Sequence, residues 1–146
     1  MTPEQQLDQF IDRFSPEVAA NARAALAMVA ARLPGAVRLV YDNYNALAIG
    51  FGPNEHARKI VCSIALYPRW ASLFLINGPS LPDPEGLLEG SGRTMRHVKL
   101  TPALIQSDAV MALIDAAAAS VKLPIDPTGE ERLVIKAISA AQRPRR

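Results

Sequence analysis

Lys59-Ile60-Val61-Cys62-Ser63-Ile64-Ala65-Leu66-Tyr67, then Pro68-Arg69-Trp70, then Ser72-Leu73-Phe74-Leu75-Ile76: this stretch decides the fold. Both apolar runs are rich in β-branched and aromatic side chains, which suit a pleated surface. The Pro-bearing break between them is short enough to join antiparallel neighbours. In the first run both faces read as apolar, with Ile60, Cys62, Ile64 and Leu66 on one side and Val61, Ala65 and Tyr67 on the other. The second run reads the same way. Strands of this kind are buried on both faces or have one face covered by another chain, so a homodimer is one way of completing them.

The same texture extends outward. Val37–Tyr41, Ala46–Phe51 and Met95–Leu100 read as further strands, set off by Gly52-Pro53-Asn54-Glu55-His56 and by a long irregular loop over 77–92. Upstream, Thr2-Pro3-Glu4-Gln5 is a helix start, with a hydroxyl cap, Pro at the first position and Gln three residues after the cap. Leu7, Phe10, Ile11 and Phe14 follow at helical spacing. Ser15-Pro16-Glu17 repeats the signal, and the second helix ends at Pro34-Gly35, giving a helical hairpin. A third helix is predicted from Ser107 to Ser120. Residues 132–138 read as a last strand, although Leu133, Lys136 and Ala137 also fit a helix. Strands that cluster rather than alternate with helices indicate an α+β fold. The expected architecture is an N-terminal helical hairpin, a mainly antiparallel sheet of five to six strands, and one C-terminal helix packed on that sheet. The 146 residues suit one domain, here 1–142, followed by a basic tail at 143–146.

The formal net charge of +2 comes from that tail, because Arg143, Arg145 and Arg146 leave 13 basic against 14 acidic side chains elsewhere. A body so nearly neutral lacks the electrostatic footprint of a nucleic-acid binder. The single cysteine, Cys62, excludes an internal disulfide and a cysteine-based zinc site. The first residues have neither a basic nor an apolar leader region, and no apolar stretch approaches the ~20 residues of a membrane span. The cytoplasm is the expected compartment.

Tyr41-Asp42-Asn43-Tyr44-Asn45-Ala46-Leu47-Ala48-Ile49-Gly50-Phe51, Ala65-Leu66-Tyr67-Pro68-Arg69-Trp70, Leu87-Leu88-Glu89-Gly90-Ser91-Gly92 and Met95-Arg96-His97-Val98-Lys99-Leu100 follow one another in an order that resembles the bacterial YdhG-like domain of unknown function. The resemblance spans nearly the whole chain and implies a small α+β fold. One branch of that family is described as an intracellular iron chaperone similar to frataxin, so the resemblance also implies weak iron binding as an alternative function.

No catalytic constellation stands out. Gly90-Ser91-Gly92-Arg93 lacks the spacing and the preceding strand of a phosphate loop. His56 and His97 have no paired histidine and no Gly-x-Ser-x-Gly elbow to serve. The expectation is a non-enzymatic binding or interaction module with no cofactor. Asp42, Tyr44, Tyr67, Arg69, Trp70, Arg93 and Arg96 gather near strand ends and turns and are the candidate ligand-pocket residues. Arg96 shares a strand face with Val98 and Leu100, and a partly buried guanidinium needs a carboxylate, for which Asp42 is the expected partner. Structural pairing competes with ligand recognition at these positions. For the iron alternative, Glu4, Asp8 and Asp12 recur every fourth residue and place three carboxylates along one side of the first helix. A solvated helix face is the competing reading.

Overall fold

The computed structural model describes residues 1–146. Helix α1 (Pro3–Asp12) begins with the expected reciprocal cap: Gln5 N–H donates to Thr2 Oγ1 at 3.1 Å and Thr2 N–H donates to Gln5 Oε1 at 2.8 Å. Helix α2 (Pro16–Arg32) is capped by Ser15, which accepts from Val18 N–H. Between them Phe14 is buried to 1% and closes the hairpin.

Six strands follow: β1 (Val37–Asp42), β2 (Leu47–Gly52), β3 (Cys62–Leu66), β4 (Ala71–Ile76), β5 (Met95–Leu100) and, after the helices, β6 (Leu133–Ile138). Of residues 132–138, all but Arg132 therefore resolve to a strand. The sheet order is β5-β4-β3-β2-β1-β6. Four pairings are antiparallel and β6 runs parallel to β1, so the sheet is mixed. The reason lies in the return path. β5 ends beside the start of β4, and helix α4 (Asp108–Ala119) carries the chain back to the opposite end, where Asn77 Nδ2 donates to Ser120 Oγ. β6 then starts beside Arg38 and must run with β1. A single-turn helix, α3 (Pro102–Ile105), precedes α4. Its start, Thr101 capping Leu104 N–H with Pro102 at the first position, repeats the pattern of Thr2-Pro3 but is too short to show periodicity.

The core lies between the helices and one sheet face. Val40, Ile49, Ile64, Leu73 and Val98, from alternate strand positions, join Ala22, Val29, Val110 and Ile114 in one buried cluster. No helix is long and apolar enough to cross a membrane.

One expectation changes here. The third strand starts at Cys62, not Lys59, because Ala57–Lys59 forms a 3₁₀ turn. Ile60 consequently does not share a face with Cys62. It lies over Gly50 on the sheet face away from the core cluster, where a Cβ on Gly50 would collide with it, and Val61 enters the core instead. The basic segment at 143–146 packs against the domain. Arg145 is 4% exposed, Arg143 N–H donates to Tyr44 O, and Arg146 donates to the carbonyls of Asp12 and Arg13. The charge of the segment, not its apolar content, explains this: a guanidinium can be buried when a carboxylate and carbonyls receive it.

Candidate functional site

At one end of the sheet the β1–β2 turn, the β3–β4 turn and the C-terminal residues come together. Register places Asp42, Leu47, Leu66, Ala71 and Leu100 in one row across five strands, so both hairpin turns project past the same edge. They enclose an open cleft of about 830 Å³, lined by Asn45, Tyr67, Pro68, Arg69, Trp70, Arg143, Pro144 and Arg146. That volume is within the range of small-molecule sites.

The cleft wall is aromatic and cationic. Tyr67 and Trp70 stack with ring centroids 4.9 Å apart and planes inclined by 24°. Lys99 from the neighbouring β5 sets its ammonium 4.9 Å from the Trp70 ring. Arg143 lies 5.7 Å over the ring of Tyr44. Burial among these groups pushes the Tyr67 phenol above its ordinary pKa, so it stays a neutral hydrogen-bond donor. Arg69 and Arg143 reach no carboxylate, and no acidic side chain lines the cleft. Guanidiniums left free in a concave site present their donor edges to an incoming anion.

The structure brings Tyr44, Tyr67, Arg69 and Trp70 into this region and leaves two other candidates elsewhere. Arg96 does not pair with Asp42. Three strands lie between β5 and β1, about 19 Å at the usual strand spacing, and the two residues sit at opposite strand ends. Arg96 Nε donates instead to Gly92 O at 3.0 Å. Arg93 is exposed in the loop before β5, away from the cleft. Asp42 supports the site from beneath. Its Oδ1 accepts from Arg145 Nη2 at 2.9 Å and its Oδ2 from Arg13 Nη1 at 3.3 Å, while Gln142 Nε2 donates to its carbonyl. By holding the last residues, Asp42 positions Arg143 and Arg146 in the cleft wall. Sequence reasoning missed those two arginines, because nothing local to the terminus signals that their neighbour Arg145 has a partner 103 residues away.

Two of the three carboxylates of the acidic row on α1 are already engaged, and the third, Glu4, is exposed. Arg23 from α2 donates to both Asp8 and Asp12 at 2.7 Å, which holds the guanidinium above its ordinary pKa. No three histidine, cysteine, aspartate or glutamate side chains converge as metal ligands. Cys62 is fully buried in the core, and desolvation pushes its thiol up to about 12. Comparisons with known protein families, with curated proteins and with solved structures give no match.

Proposed function

We propose that this chain is a binding module that captures an anionic ligand, carrying carboxylate or phosphate groups, in the cleft between the two hairpin turns and the C-terminal segment. The observation that carries this reading is the pair of uncommitted arginines, Arg69 and Arg143, lining one cleft that has no acidic side chain, beside an Arg146 whose guanidinium is held by the Asp12 and Arg13 carbonyls. A positive cluster on an otherwise nearly neutral body costs self-repulsion, which a bound anion relieves. No nucleophile paired with a base lies in the cleft, so the reading is binding without chemistry. Membership of the YdhG-like group belongs to the same proposal and rests on the order of the sequence motifs quoted above.

Trp70 is the chain's one tryptophan and forms part of the cleft wall, so its emission reports occupancy directly. Titration with pyrophosphate and with citrate should give a saturable change in that emission. The Arg69→Gln, Arg143→Gln double variant should bind more than about tenfold more weakly, as expected when two charge-assisted contacts are lost. If neither anion perturbs the emission, or if the variant binds equally well, the reading fails.

A further inference from the structure

A second cleft lies at the other end of the sheet, about 20 Å away along the six-residue strands. It has about 380 Å³ of space between the 3₁₀ turn before β3, the end of β4 and the segment after α4. Its walls divide by character. Ile60, Ile76, Val121 and Leu123 are apolar, and Leu123 stays 45% exposed. Arg58, Lys59 and Lys122 stand around them, all exposed, and none forms a side-chain hydrogen bond or an ion pair. No acidic side chain lines the cleft.

The backbone that shapes the cleft is held in an unusual state. Asn77 is the chain's one non-glycine residue with positive φ, at φ 55° and ψ 27°. Its amide donates to Ser120 Oγ at 2.9 Å, and Ser120 in turn donates to Ala117 O at 2.7 Å. This tie fastens the end of β4 to the end of α4 and fixes the spacing of the two apolar walls. Asparagine is one of the few non-glycine residues that tolerate the left-handed region, and here it turns its amide towards Ser120.

We infer that this second cleft binds an amphiphilic monoanion, a short- or medium-chain carboxylate, with its hydrocarbon against Ile60, Ile76, Val121 and Leu123 and its headgroup among Arg58, Lys59 and Lys122. A small hard anion such as inorganic phosphate would meet the cations but leave the four apolar side chains wet. A neutral hydrocarbon would cover those side chains but leave three like charges uncompensated. Only a ligand with both parts satisfies the whole surface.

The test is a titration series read by amide chemical shifts, with butanoate, hexanoate, octanoate, 1-octanol and inorganic phosphate as probes. Affinity should rise about three- to fourfold per added methylene, the transfer value for a buried CH₂. The shifts should centre on Ile60, Ile76, Asn77 and Val121. Octanol and phosphate should each bind more weakly than octanoate. The Arg58→Gln, Lys122→Gln double variant should weaken octanoate about tenfold, the combined loss of two exposed charge contacts. Both substitutions are on the surface and leave the core intact. An affinity independent of chain length, octanoate shifts that map to the Tyr67–Trp70 cleft, or unaltered binding by the double variant would each overturn the inference.

Discussion

Asp42 and Arg145 stand 103 positions apart in the chain, and their side chains meet at 2.9 Å with only 1% and 3% of their surfaces exposed. The Arg145 guanidinium also donates to Asn43 O at 2.6 Å and lies 5.5 Å over the ring of Phe14. Its Nε is buried without an acceptor. One buried ion pair thus binds the end of the chain to the end of β1, to the α1–α2 hairpin and, through its neighbours Arg143 and Arg146, to the cleft.

Truncation after Ala141 removes one member of this pair and strands a buried carboxylate with Arg13, whose side chain is 46% exposed, as its remaining partner. We expect a loss of about 3–5 kcal/mol in urea unfolding, the usual cost of breaking a buried pair. The double replacement Asp42→Leu with Arg145→Met should recover most of it, because apolar groups of similar volume leave no uncompensated charge. An unchanged urea midpoint for the truncated chain would show that the segment contributes nothing.

Stability should fall with rising pH above about 9. The Cys62 thiol, ordinarily at 9.0, is pushed up to about 12 by its burial in the fold, while burial also raises the Tyr67 phenol from 10.0. Above pH 9 the unfolded chain releases protons that the folded chain retains, so the stabilisation, complete below that pH, is lost as the pH climbs towards 12. Unfolding free energies at pH 7, 9 and 10.5 should decline, and Cys62→Ala should show a shallower decline from a lower starting value. Native Cys62 should resist alkylation at pH 8, and rapid labelling would contradict its burial.

Gly35→Ala should be far more harmful than Gly86→Ala. Both glycines have positive φ, at 82° and 64°, which costs any other residue about 1–2 kcal/mol. At Gly86 a Cβ meets nothing within 4 Å, whereas at Gly35 it runs into the carbonyl of Asp126. Gly35 N–H also donates to Glu131 Oε2 at 3.0 Å, so displacing this turn disturbs the entry to β6. Melting temperatures of the two variants decide the point, and equal values would show that the Asp126 contact is not confining.

Arg23→Gln should cost less than about 1 kcal/mol, and the cost should shrink in 1 M salt. Arg23 bridges Asp8 and Asp12, but all three side chains are at least 41% exposed, and water screens such pairs strongly. The residual effect is the repulsion between two carboxylates four residues apart on α1. Thermal melts at low and high salt measure it, and a cost that is independent of salt would point to lost packing instead.

Local physics made much of this molecule readable in one dimension. Thr2, Ser15 and Ser107 announce helix starts because a hydroxyl can satisfy a backbone N–H only a few residues away. The strands from Val37 to Leu100 show as β-branched and aromatic runs, because such side chains suit a pleated surface whatever packs on it. Tyr67 and Trp70 could be placed together because one turn holds both. What tertiary structure alone decided are the relations without a local cause. The parallel seat of β6 depends on which end of the sheet α4 reaches. The face taken by Ile60 depends on a turn that breaks the strand's period. Asp42 could be matched with Arg96 on charge and burial, yet it joins Arg145, because a buried charge accepts whatever counter-charge the folded chain delivers to it. That delivery is set by sheet order and chain path, and neither is written in the spacing of residues.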